Sequence, residues 1–298
     1  MDPDQNQPPH LPLVPHRGFN LISGLHDPGE VDLISRLQLR DSDLFIVTYP
    51  KSGTIWMQQI MLLLEARGDV SAVGSSRSNA ELVPWIEVKD NSQAFMRAPS
   101  PRMCVTHLLH HFLPLDLSQR KGKVIYVARN PKDVLVSYYH FHKVANMLET
   151  PKSFDDFFEK FLRGEVFGCS WFEHIKNWYS HKDEMNMLVV MYEEMIQDLR
   201  SAIKRISMFL GKELTEEQLA SMVKHSTFST MRKNPQANYE QVSGELLSHH
   251  LGRFMRKGTV GDWKNHFSVA QNQRFDQLFQ REMKEFPLSF IWDMKDLQ

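Results

Sequence analysis

The sequence predicts one α/β domain built on a central parallel sheet flanked by helices. Three observations carry that prediction. Short apolar, β-branched runs alternate with segments of helical period, the pattern of parallel βαβ units joined by right-handed crossovers. A chain of 298 residues with 42 % hydrophobic content can supply a single large core. No repeat and no linker divides it, so residues 19–298 are read as one domain.

In chain order, residues 1–18 are expected to form a mobile arm, because five prolines fall within the first fifteen positions and offer little to a core. Order is expected from Phe19. The run Asp43 to Tyr49 is apolar and β-branched and is closed by Pro50, which marks a buried strand. Gly53 to Glu65 reads as a helix burying Ile55, Trp56, Ile60, Leu63 and Leu64. Met103 to Thr106 is a shorter strand. Lys123 to Ala128 is another, followed by Asn130 as N-cap and Pro131 at the first helical position, with the helix expected to reach Met147. A helix carrying Trp171, Phe172, Ile175 and Trp178 precedes a strand at Met187 to Met191. Helical pattern resumes from Glu194 through Phe209 and from Thr215 to Lys224. The segment from Met231 to Gly261 is polar and aperiodic, the mark of a long functional loop. Ligands of such sheets bind at the carboxyl ends of the strands.

Composition narrows the function. A formal net charge of −1 argues against a dedicated binder of nucleic acid or anionic membrane, so any anion site is local. Two cysteines, Cys104 and Cys169, make no disulfide framework and indicate a reducing compartment. Residues 1–15 lack the basic and apolar regions of a signal peptide, and no run of 18 apolar residues occurs. The expected location is the cytosol.

Two segments carry anion chemistry. Thr48-Tyr49-Pro50-Lys51-Ser52-Gly53-Thr54-Ile55-Trp56 lies where a buried strand passes into a helix, so free backbone N–H groups, the helix dipole and the Lys51 charge converge on one anion. By itself, Lys-Ser-Gly is more often an ordinary turn with a solvated lysine. It is not a Walker A loop, which excludes a kinase on motif grounds. The second segment places Arg129 at a strand's carboxyl end and Ser137 two turns into the next helix, where a guanidinium and a hydroxyl could grip a second phosphate. Each alone is equally compatible with a surface arginine and a plain helical serine. Together they describe a doubly phosphorylated ligand.

These segments resemble the cytosolic sulfotransferase family, and the resemblance extends from Phe19 to Asp293. It implies a P-loop-like sulfotransferase fold and a sulfonate donor, 3′-phosphoadenosine 5′-phosphosulfate (PAPS), leaving PAP as product. Carried over to this sequence, the 5′-phosphosulfate site is Lys51, Ser52, Gly53 and Thr54 with Ile55, and Trp56 meets the adenine. The 3′-phosphate site is Arg129 and Ser137, completed by Arg256, Lys257 and Gly258 in Phe254-Met255-Arg256-Lys257-Gly258. Tyr192, Ser226, Thr227, Phe228 and Met231 match positions lining the nucleotide.

In-line transfer of a sulfonate needs a base for the acceptor proton and a cation for the departing phosphate oxygen. Histidine suits the first role, and 14 occur. The family pattern singles out Thr106-His107-Leu108, which makes His107 the general base and Lys51 the leaving-group cation, restrained by Ser137. Where many relatives have lysine before this pair, the chain has Val105, a departure that raises a PAPS-binding protein of low or narrow activity as the alternative. His110 and His111 stand close by, but no carboxylate or cysteine pattern accompanies them and no metal is expected.

Trp85, Phe141 and Tyr239, with Val105 and Thr106, fall where the family lines its acceptor pocket, which implies a phenol, steroid or arylamine. The segments around Trp171 and Phe290 look most like the amine sulfotransferase branch. The family's dimer motif appears at Lys264 to Gln273 with Ser268 and Gln273 in place of threonine and glutamate, so a homodimer is expected, weakened by one lost charge.

Overall fold

A computed structural model describes residues 10–73 and 77–297. Its strands are β1 (Leu13–His16), β2 (Phe19–Ile22), β3 (Leu44–Thr48), β4 (Met103–Thr106), β5 (Lys123–Ala128) and β6 (Met187–Met191). The α-helices are α1 (Pro28–Ile34), α2 (Thr54–Glu65), α3 (Asn79–Leu82), α4 (Asn91–Arg97), α5 (Pro131–His142), α6 (Phe154–Arg163), α7 (Trp171–Ser180), α8 (Tyr192–Gln197), α9 (Leu199–Leu210), α10 (Glu216–His225), α11 (Phe228–Met231) and α12 (Val269–Met283).

The last four strands form one parallel sheet in the order β4-β3-β5-β6. Its strands are apolar along their length because both faces are covered. Phe45, Val47, Val124 and Tyr126 face a core shared with α5, α6, α7 and α12. Ile46, Val105, Ile125, Val127 and Val190 face α2, α9 and α10. The chain leaves β3 to one side to make β4 and crosses back to make β5, so the strand order reverses around β3. A crevice opens outside the carboxyl ends at such a reversal.

The fold corrects several expectations. Ordered backbone begins before Phe19: Leu13–His16 pair antiparallel with Phe19–Ile22, so part of the expected arm is a hairpin, while residues 1–9 lie outside the described residues. α5 stops at His142 rather than Met147, because the chain turns away to bond with the later loop: Asn146 N–H donates to the Leu246 carbonyl (3.0 Å) and Ser248 N–H to that of Val144 (2.7 Å). The helix expected from Glu194 begins at Tyr192 and is split at Asp198, whose carboxylate caps α9 by accepting from Ser201 N–H (3.0 Å). α6 escaped the sequence reading although Ser153, Phe157, Phe158, Phe161 and Gly164 supply its cap, stripe and stop. Of the loop expected from Met231 to Gly261, Met231 instead ends α11, and segment 232–261 contains no α-helix or strand.

Candidate active site

The turn between β3 and α2 is unusual in its backbone. Lys51 has φ 68° and Gly53 φ 109°, both left-handed, so the carbonyls fold back and the N-terminus of α2 opens toward the crevice. Glycine is required at 53 also for space: a Cβ there would stand 2.9 Å from Cδ2 of Tyr192. Ser52 is fully buried and its hydroxyl has no partner among the described residues.

Three elements enclose this turn. Arg129, at the end of β5, donates to the Lys51 carbonyl (2.9 Å) and stacks its guanidinium 4.2 Å over the ring of Tyr192. Trp56 donates through Nε1 to the Ser226 carbonyl (2.7 Å) and meets Tyr192 edge-on at 5.3 Å. Segment 254–259 completes the wall, with Gly258 at φ 66° and so close to Phe228 that a Cβ would fall 2.2 Å from its Cδ2. That segment is tied to α5 by Asp133, whose carboxylate accepts from Gly261 N–H (2.8 Å) and Trp263 N–H (3.0 Å).

Cations dominate the site. Asp262 binds Arg256 (2.6 Å) and Lys257 (2.5 Å); partial burial raises its pKa, but hydrogen bonds from Lys257, Asn265 and Arg256 hold the carboxyl well below its ordinary range. No carboxylate reaches the Lys51 ammonium among the described residues, and that group rests on the rings of Phe254 (3.7 Å) and Phe141 (4.1 Å). Part of Lys51 is accessible, but the rings screen its ammonium, and burial, then Arg129 and Arg256, push the pKa down to about 7. Arg129 lines the crevice, and its buried Nε, which has no partner among the described residues, fits a phosphate-bearing ligand.

His107 lies at the end of β4, with its ring Nδ1 2.6 Å from the Thr48 carbonyl and 3.2 Å from the Thr48 hydroxyl. Donation from Nδ1 to that carbonyl leaves Nε2 as the basic nitrogen. Its backbone is clamped twice: the N–H donates to Glu87 Oε1 (2.8 Å), and the carbonyl accepts from His174 Nε2 (3.0 Å). Burial pushes the His107 pKa down to about 3, against the bond to Thr48, so the ring is neutral at ordinary pH. Trp85 packs against it with ring centroids 4.5 Å apart.

One cavity of about 700 Å³ joins the two regions. Lys51, Gly53, Thr54, Ile55, Trp56, Arg129, Ser137, Tyr192, Phe228, Met231, Met255, Arg256, Lys257 and Gly258 line it on the side of the turn, and Trp85, His107, Phe141, Tyr239 and Phe254 also line it. Ile22, Leu25, Leu148 and Leu247 make the remainder largely apolar.

Some expected members stand elsewhere. Val105 is fully buried in the core facing α2, and Thr106, sent by strand alternation to the opposite face and also fully buried, is spent accepting from Leu108 N–H (3.0 Å), so neither is a wall residue. Ser52, Ser226 and Thr227 lie behind the lining, and Thr227 caps α11. The expected contact between Ser137 and Lys51 is replaced by the two rings. His110 and His111 bond to separate partners, near Ser118 and the Arg17 carbonyl, and no group of three or more metal-binding side chains occurs among the described residues. Glu87 was missed: it is buried beside His107, burial pushes its pKa up to about 7, and its Oε2 has no hydrogen-bond partner among the described residues. Its only sequence signal is a lone acid within Val83-Pro84-Trp85-Ile86-Glu87-Val88.

A sulfotransferase-domain profile matches residues 41–287. The amine sulfotransferase of Oryctolagus cuniculus is 43 % identical over 286 residues, covering 95 % of each chain. Human sulfotransferase 2B1 is 43 % identical over 279 residues, covering 93 % of this chain and 76 % of its own. A mouse sulfotransferase solved in complex with PAP superposes with a TM-score of 0.78 at 31 % identity, over 93 % of this chain and 96 % of that one. Retinol dehydratase in complex with retinol and PAP shares the fold, with a TM-score of 0.82 at 24 % identity over 94 % and 93 % of the two chains. No helix among the described residues is long and apolar enough to cross a membrane.

Proposed function

The chain belongs to the cytosolic sulfotransferase family, and from that premise we propose that it moves a sulfonate from PAPS to a hydroxyl or amine of a small, apolar acceptor. The observation that carries this reading is the shared cavity: a neutral, oriented His107 and a cation-rich turn at Lys51 open into the same space.

When bound, the donor supplies a sulfonate whose bond to phosphate oxygen breaks as the bond to the acceptor forms. His107 Nε2 takes the acceptor's proton, and the bond from Nδ1 to Thr48 keeps the ring aimed. Lys51 compensates the charge that builds on the departing phosphate oxygen. Thr54 and the N-terminus of α2 hold the 5′ end of the nucleotide, Trp56 meets its adenine, and Arg129, Ser137 and Arg256 to Gly258 hold its 3′-phosphate. The apolar wall excludes water, which would compete with the acceptor.

A phenol, a hydroxysteroid and an arylamine all suit a cavity walled by Trp85, Phe141, Leu148 and Leu247. The likeness to the rabbit amine sulfotransferase favours the amine among them. Action in the cytosol and a homodimer through residues 264–273 belong to the same proposal. Incubation with sulfur-labelled PAPS and a panel of phenols, hydroxysteroids and arylamines tests it. Label in an acceptor product is expected; binding of PAP without transfer to any panel member would instead favour a nucleotide-binding protein that has lost the reaction.

A further inference from the structure

The Lys51 ammonium sits in a corner made by two rings. Phe141, on α5, and Phe254, in segment 232–261, have centroids 5.5 Å apart and planes inclined at 79°, and the nitrogen lies 4.1 Å and 3.7 Å from them. Aromatic faces are electron-rich and attract a desolvated cation more strongly than an exposed one. The charged groups acting on Lys51 are Arg129 from the end of β5 and Arg256 from the same segment as Phe254, both repelling, and the titratable ring of His107 at the end of β4 is neutral. With no carboxylate at the ammonium among the described residues, the rings are its favourable surroundings.

Phe254 has a second attachment. It stacks on Tyr239 at 5.0 Å and 26°, and the Tyr239 hydroxyl donates to Gln58 Oε1 on α2 (3.4 Å). Tyr239 belongs to the same segment, which is therefore seated on the body of the protein twice, by Tyr239 at α2 and by Phe254 against Phe141 of α5.

We propose that Phe254 is a positioning residue: it seats the Lys51 ammonium at the cavity wall, so that docking of segment 232–261 and the charge on that lysine are one linked event. The proposal rests on the reading of Lys51 as the leaving-group cation. Without the Phe254 face, the ammonium is left with Phe141 and two repelling guanidinium groups and holds its proton less tightly. An anionic nucleotide restores the proton, so nucleotide binding takes one up wherever Lys51 is neutral beforehand.

The test is PAP affinity measured calorimetrically on the full chain from about pH 6 to about pH 9. The unsubstituted chain is expected to lose affinity by about tenfold per pH unit above the Lys51 midpoint. Lys51→Arg, which keeps the charge and does not titrate, removes that limb. Contributions from Glu87 and Glu193, both pushed up to about 7 by burial, and from the nucleotide's own phosphate, near 6, persist in that variant and are subtracted with it. Phe254→Leu keeps apolar bulk without the aromatic face and moves the limb down by about one pH unit, a tenfold loss of affinity on the alkaline side. Phe254→Tyr leaves the limb in place. A limb that stays put in Phe254→Leu, or survives in Lys51→Arg, overturns the proposal. Phe254→Met, which also lacks the aromatic face, takes its place if Phe254→Leu does not fold, and an unmoved limb there overturns the proposal equally. No PAP binding to the unsubstituted chain at any pH overturns the donor reading and this proposal with it.

Discussion

The imidazole of His107 donates from Nδ1 to the carbonyl oxygen of Thr48 at 2.6 Å, and the Thr48 hydroxyl lies 2.6 Å from that of Thr54. A single residue at the end of β3 thus orients the His107 ring and braces the first residue of α2. His107 on one strand and the Lys51 turn on its neighbour are held in register by the sheet itself, through the pairing of Val47 with Thr106.

Replacing His107 by asparagine is expected to lower kcat by about 10²- to 10⁴-fold while PAP affinity stays unchanged. Single-turnover kinetics beside calorimetry checks this. Near-normal turnover would remove His107 from the mechanism.

Gly258→Ala forces a Cβ into the ring of Phe228, 2.2 Å from Cδ2, at a left-handed φ. The segment must shift, and PAP affinity is expected to fall at least about tenfold, roughly the effect of one lost charge-assisted contact. Unchanged affinity would show that Gly258 does not shape the nucleotide site.

Asp133→Ala leaves the N–H groups of Gly261 and Trp263 without their acceptor. A cost of about 2–4 kcal/mol in urea unfolding is expected, together with weaker PAP binding, because the segment carrying Arg256 loses its anchor. Loss of stability with intact affinity would separate the anchor from the site.

Acid should destabilise the protein below neutral pH. Burial lowers the pKa of His26 and His142 to about 4 and of His107 and His174 to about 3, from 6.5. The unfolded chain therefore binds more protons at these four sites as pH falls below 6.5, and stability drops through that window. Glu87 and Glu193, raised by burial from 4.5 to about 7, act with the opposite sign and lose stability as pH rises through 7. Four sites outweigh two, so the thermal midpoint is expected to be lower at about pH 5 than at about pH 6.5. An equal or higher midpoint would contradict the burial of these histidines.

Val269, at the first position of α12, is 76 % exposed and stands in the expected dimer motif. Val269→Glu is expected to shift the chain toward monomer in light scattering over a dilution series, with activity retained. A monomer before substitution would dismiss the motif.

The candidate anion site was readable from local sequence because a βα turn is a chain-local object. Lys51, Gly53 to Trp56 and Arg129 reach the cavity by the geometry of their own strand ends. His107 was singled out among its fellows by family pattern alone, and only the fold explains the choice, through the Thr48 carbonyl and the clamp by Glu87 and His174. Glu87 itself is invisible locally, since a lone acid in an apolar run carries no partner in the sequence. Val105 was expected beside the sulfonate, but the pleat of β4 sends it into the core.

By itself, then, the sequence determined the parallel α/β sheet, the strand-to-helix turn at Lys51 and the family, since apolar periodicity and motif order are properties of short stretches. The tertiary structure alone decided what each charge faces. Lys51 meets two rings rather than Ser137 because Phe141 and Phe254, 113 residues apart, converge on it only after the long segment returns to α5. Electrostatic environment is set by neighbours in space, and in this chain the decisive neighbours are far apart in sequence.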